Sequence, residues 1–110
     1  MVKVTVLYDQ PEDPAAFEKY YLETHIPEHG MKIPNVTRLE ANKVVANPGE
    51  QPPFYRTADL YFEDMASFQA SMGSPISQAA IADLDNFAKG RHKMLIAEVV
   101  TVKSVATARV

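Results

Sequence analysis

The sequence contains no cysteine, which excludes disulfide frameworks, thiolate nucleophiles and Cys-ligated metals and is compatible with a reducing compartment. It has no basic excess. With 14 acidic and 11 basic residues the net charge is −3, and no stripe of Lys and Arg stands ready to displace counterions from a phosphate backbone, so no nucleic-acid partner is expected. Apolar runs are short. None approaches the ~18 residues of a membrane span, and Met1 to Leu7 is followed too soon by Asp9-Gln10-Pro11 to be a signal peptide's apolar region. The expectation is a cytoplasmic protein with no membrane partner. A Gly-rich phosphate loop, a Gly-x-Ser-x-Gly turn and a serine beside a convincing His/Asp set are also missing, so nucleotide cofactors and acyl-serine chemistry have no support.

What is present is an ordinary globular composition, 46% hydrophobic and 23% charged over 110 residues, which is enough for one core and too short for two. A single domain over residues 1–110 follows. Val2, Val4, Val6 and Tyr8 alternate with Lys3, Thr5 and Leu7, the period of a strand with two different faces. Asp13-Pro14 supplies an N-cap carboxylate and a proline at the first helical position. Phe17, Tyr20, Tyr21, Thr24 and His25 then recur on one helical face, and Pro27 is expected to hold Ile26 extended and end the helix. Glu28 to Pro34 reads as a loop, with Gly30 free to take a positive φ.

Val36 to Ala46 and Tyr55 to Phe62 read as strands of a hairpin joined by the Pro/Gly-rich stretch Asn47 to Pro53. Asp64 caps a further helix through Phe68 and Met72, Gly73 stops it, and Ser74-Pro75 restarts it with Ile76, Ala80, Leu84 and Phe87 inward. After a turn at Gly90 to Lys93, Met94 to Lys103 makes the last strand and Ser104 to Val110 a tail.

This βαββαβ order predicts an α+β, ferredoxin-like fold: a four-stranded antiparallel sheet with two helices on one face. The other face is left uncovered. With Ala58, Leu60 and Phe62 turned to the helices, Leu7, Tyr61 and Val99 fall on the bare side, an apolar patch that a second copy laid sheet to sheet would cover. Lys3, Thr5, Thr57, Asp59 and Glu98 are the polar groups expected in the space between. The partner so implied is the chain itself, as a homodimer closing an α/β barrel.

Several segments together resemble the EthD-like family of the dimeric α/β-barrel superfamily: Val4-Thr5-Val6-Leu7-Tyr8, Phe17-Glu18-Lys19-Tyr20-Tyr21, His25-Ile26-Pro27 and Glu98-Val99-Val100-Thr101-Val102. The most specific is an aromatic pair followed three residues later by His-x-Pro. Members of the superfamily include cofactor-free monooxygenases, polyketide cyclases, lactone isomerases and proteins implicated in ether degradation, so the resemblance constrains fold more tightly than chemistry. It implies an oxidoreductase or isomerase without cofactor, and it maps an active-site histidine onto His25.

His25 is the candidate catalytic residue on chemical grounds as well, because imidazole takes and returns a proton near neutral pH without strong tuning. The helix C-terminus favours its cation, whereas burial among Phe17, Tyr20 and Tyr21 favours the neutral base. Its competing role is that of a helix-end cap. Tyr20, Tyr21 and Tyr61 are candidate substrate-binding groups or, alternatively, packing residues with satisfied hydroxyls. Asp59, a mid-strand carboxylate, needs a partner, for which Arg38, Lys3 and Arg56 are at hand. Pro27 interrupts the His25 to His29 spacing, so no metal site is expected, and nothing else supports haem.

Two functions compete on these grounds. One is a cofactor-independent enzyme acting on a hydrophobic, oxygen-bearing small molecule by proton transfer, isomerisation or oxidation. The other is a non-catalytic accessory or small-ligand-binding dimer.

Overall fold

The computed structural model describes residues 1–104, so the expected tail Ser104 to Val110 lies, from residue 105 onward, outside the described residues. Strand β1, Val2–Tyr8, lies between β3, Arg56–Phe62, and β4, His92–Glu98, and β2, Val36–Lys43, completes an antiparallel sheet of order β2-β3-β1-β4. This is the ferredoxin-like arrangement. The alternation in β1 has its expected consequence: Val2, Val4, Val6 and Tyr8 are buried beneath the helices, and Lys3, Thr5 and Leu7 are not. Each valine so buried is worth about 1.5–3 kcal/mol relative to exposure.

The helical layer is built in pieces. Asp13 accepts from the Ala16 amide to cap α1, Pro14–Tyr20, with Pro14 in the first turn. Asp64 caps α3, Met65–Met72, in the same way, and Ser74 caps α4, Pro75–Asp83. Phe17, Tyr21, Phe62, Phe68 and Leu84 fill the space between these helices and the sheet. No described helix is long and apolar enough to cross a membrane.

Pro27 does not end the first helix. Tyr21–His25 forms a π-helical turn in which the Ile26 amide reaches back to Tyr21, Ile26 stays helical at φ −64° and ψ −55°, and a last short turn α2, Ile26–Glu28, follows. Widening the ladder relieves the clash that a proline ring makes with the carbonyl of the preceding turn. Gly30 opens a 3₁₀ turn, Gly30–Lys32, and is not among the residues of positive φ, which are Asn35, Gly49 and Gly90. A Cβ there would stand 3.7 Å from Leu39 Cδ1, an ordinary van der Waals contact.

Several boundaries and two facings also differ from expectation. β2 ends at Lys43, beyond which one further bond from the Val44 amide to the Tyr55 carbonyl prolongs the hairpin. β4 begins at His92 rather than Met94 and ends at Glu98, because it is matched in register to Tyr8 and Val2. Ile76 is exposed and Ser77 takes the inward place, paired with Ser71 at 3.1 Å. Glu98 lies opposite Val2, on the helix side, so it does not contribute to the bare face.

That bare face carries Leu7, Tyr61 and Leu95, but β2 adds Arg38, Glu40 and Asn42 to it, making it more polar than β1 and β3 alone suggested. Thr5 donates to Asp59 at 2.6 Å, and Asn42 reaches both Thr57 and Asp59 at 3.3 Å.

Candidate functional site

The π turn puts His25 directly over Tyr21, their rings stacked at 6.0 Å with a 15° interplanar angle. Phe87 closes on the imidazole from a centroid distance of 4.7 Å. The ring is therefore held by packing and is 8% exposed. Such π turns inside α-helices are frequent at functional sites.

What fixes the imidazole's orientation is Asp83, the last residue of α4. Its carboxylate accepts from His25 Nδ1 at 2.8 Å, from the Tyr20 hydroxyl at 2.6 Å and from Asn86 Nδ2 at 2.8 Å. His29 Nε2 stands 3.6 Å away. Burial pushes this carboxyl up, but the hydrogen bonds from Tyr20, His25 and Asn86 outweigh it and hold Asp83 below its ordinary value. A carboxylate that stays ionised requires a hydrogen on Nδ1, which leaves Nε2 with the free lone pair.

The opposing influences on His25 are resolved in favour of the base. Burial is the largest influence and lowers its proton affinity, His29 lowers it further, and the Asp83 bond and charge oppose both without prevailing. Near neutral pH the ring is a neutral imidazole with Nδ1–H bound to Asp83.

His25 lines a cavity of about 60 Å³ between the sheet and the helical layer. Most of its wall is aliphatic, from Val4, Val6, Leu60 and Leu84 among others, with Tyr8, Tyr21, Ser77 and His25 as the groups bearing polar atoms. Ile81 and Met94, 42% and 38% exposed, mark where it meets the surface. The space is thus bounded by the histidine's helix, the Gly30 turn, the sheet and α4.

Of the residues singled out from sequence, Tyr20 and Tyr21 lie with His25, while Asp59 and Tyr61 lie on the opposite face of the sheet. Tyr21 lines the cavity and Tyr20 is committed to Asp83. Asp59 is held chiefly by Thr5 and Asn42, with Lys3 at 3.9 Å; Arg38 and Arg56 are paired instead with Glu40 and Glu18. Tyr61 borders a bare-face groove with Lys3 and Arg38. Among the described residues no group of three His, Cys, Asp or Glu is placed to hold a metal ion.

Sequence reasoning missed Asp83 and Tyr8. Asp83 follows Ala80 by three and precedes Phe87 by four, so it shares the face assigned inward; a carboxylate there demands a buried partner. Tyr8 belongs to the alternating set of β1 opposite in facing to Leu7, but alternation along one strand carries no signal that joins it to His25.

With this geometry in view, comparison with known proteins adds the following. A family model described as EthD domain matches residues 9–91. The chain is 41% identical, over 93% of its length and 98% of the relative's, to an uncharacterized 11.0 kDa protein in the thcB-thcC intergenic region of Rhodococcus erythropolis. It is similar to the crystal structure of an ethyl tert-butyl ether d (ethd) family protein from Bacillus halodurans, at 33% identity and TM-score 0.84, covering 91% of this chain and 99% of that one. A dimeric protein of unknown function and ferredoxin-like fold from Bacteroides fragilis aligns at TM-score 0.63 and 18% identity, covering 89% of this chain and 95% of that one.

Proposed function

The chain belongs to the EthD family, and from that premise we propose that it is a cofactor-independent enzyme in which His25 moves a proton on a hydrophobic, oxygen-bearing small molecule held in the cavity. Family membership alone does not select the chemistry. The observation that carries the reading is His25, paired with Asp83 at 2.8 Å, in the wall of a mostly apolar cavity. A buried carboxylate holding Nδ1–H presents Nε2 as the base and stabilises the imidazolium once the proton has arrived.

In the proposed step Nε2 takes a proton from a carbon next to a carbonyl. The C–H electron pair becomes a C=C bond, the carbonyl becomes an enolate, and the imidazolium then returns its proton to the same or a conjugated carbon. Exchange or isomerisation results without any oxidant.

The functional unit in this reading is a homodimer. The Bacteroides fragilis protein of this fold is described as dimeric, and the bare sheet face here, with Leu7, Tyr61 and Leu95 around the Asp59 network, is the surface a second copy would cover.

Solvent deuterium exchange into a panel of small enolisable ketones and lactones, followed by NMR, tests the catalytic part. The wild-type chain should accelerate exchange and His25→Asn should abolish it while the spectrum of the folded protein persists. Binding without accelerated exchange would return the protein to the accessory-binder reading.

A further inference from the structure

Tyr8 and Tyr21 are each only 1% exposed and both line the cavity, their rings edge to face at 5.3 Å. Neither hydroxyl makes a hydrogen bond among the described residues, in contrast to Tyr20 and Tyr55, whose hydroxyls donate to Asp83 and Glu18. Yet no fully enclosed side-chain nitrogen or oxygen lacks a partner there, so both hydroxyls reach open space. Of the spaces described above, the cavity is the one that both residues line.

A buried phenol without a protein partner calls for an explanation. Packing does not supply it, since phenylalanine would fill the same wall. The Tyr21 ring is fixed by His25 stacked at 6.0 Å and by the Arg56 guanidinium at 5.3 Å. Burial keeps both phenols protonated, Tyr21 being pushed up to about 12 and Tyr8 higher still, so both are donors at any physiological pH.

We propose that Tyr8 and Tyr21 form a paired donor site for one ligand oxygen, and that the ligand is a largely hydrocarbon ketone entering carbonyl first, its alkyl body extending out past Ile81 and Met94 because about 60 Å³ takes only the carbonyl end. The assignment rests on the proton-transfer reading of His25, and it names the acceptor of the charge that step creates. As the α-proton leaves for Nε2, the carbonyl oxygen becomes an enolate, and two preorganised O–H donors in a dry site bind that anion more strongly than the ketone.

The test is an NMR titration of the full chain with 2-pentanone, and with pentane as its oxygen-free counterpart. Tyr8→Phe and Tyr21→Phe should each weaken 2-pentanone binding roughly three- to tenfold, the worth of one ordinary hydrogen bond. Pentane binding should not change. Tyr55→Phe, which alters a hydroxyl outside the cavity, should change neither. Deuterium exchange at C1 and C3 of bound 2-pentanone should slow by a further roughly ten- to hundredfold in the two cavity variants, because the bond to an anion is the stronger one.

Absence of 2-pentanone binding to the wild-type chain, or equal binding by both Phe variants, would overturn the assignment. The two readings fail separately: Tyr-dependent binding without accelerated exchange would sink the catalytic role of His25 and leave the donor pair standing.

Discussion

Replacing Asp83 by asparagine should destabilise the protein by an amount that can be worked from its contacts. The carboxylate accepts from three donors, at 2.6, 2.8 and 2.8 Å, and is 5% exposed. Asparagine keeps the shape but offers one acceptor oxygen and turns an NH₂ group toward donors. At least one charge-assisted bond is lost, at about 1.5–3 kcal/mol, and one buried donor is left facing another, at about 1–3 kcal/mol. Together these give a loss of about 2.5–6 kcal/mol, or roughly 10–40 °C in Tm for a domain of this size. Urea unfolding at fixed protein concentration measures it, the concentration being held because association adds to apparent stability.

The pH dependence has a definite sign. His25 titrates below its ordinary 6.5 in the folded chain, so the unfolded chain protonates first and stability present above pH 6.5 falls as pH drops through that range. Asp83 adds a second loss below its ordinary 3.8. Asp83→Asn should remove that acid limb. A destabilisation under ~0.5 kcal/mol, the range of surface substitutions, with the acid limb intact, would refute the cluster as described.

Leu60→Ala should cost about 2–5 kcal/mol of folding stability, whereas Leu7→Ala should act mainly by lowering the sedimentation mass from twice the chain mass toward one; equal folding losses with unchanged association would mean the sheet faces are reversed. Gly90→Ala, at φ +70°, should destabilise by about 1–3 kcal/mol in urea unfolding. Gly30→Ala, with only ordinary contacts around a new Cβ, should be within ~0.5 kcal/mol; a larger loss there would show that the Gly30 turn is tighter than its geometry indicates.

The fold was legible because its signals are local. Alternation in β1 and the capping residues Asp13, Asp64 and Ser74 each act within a few neighbours, and together they order the elements. His25 and Tyr21 were legible for the same reason, both lying on one face of one helix. Asp83 was not, since it meets His25 across 58 residues and only the packing of α4 on the first helix joins them.

Strand parity, applied to sites as it was to the core, would have separated Asp59 and Tyr61 from His25, because odd residues of β3 face away from the helices. The π turn at Tyr21–His25 had no local signal beyond Pro27, whose usual effect is to stop a helix; tertiary packing of Tyr21 and His25 against Phe87 favours continuing it.

The central claim is that His25 is a neutral base with its hydrogen on Nδ1 and its lone pair on Nε2, in a cavity that admits a ligand. Two-bond ¹⁵N–¹H correlation spectra of the imidazole at pH 7 read this directly. A protonated-type Nδ1, an unprotonated-type Nε2, titration below 6.5 and a shift of Nε2 on adding 2-pentanone are the expected result. An imidazolium at pH 7, or a hydrogen on Nε2 and none on Nδ1, would contradict it.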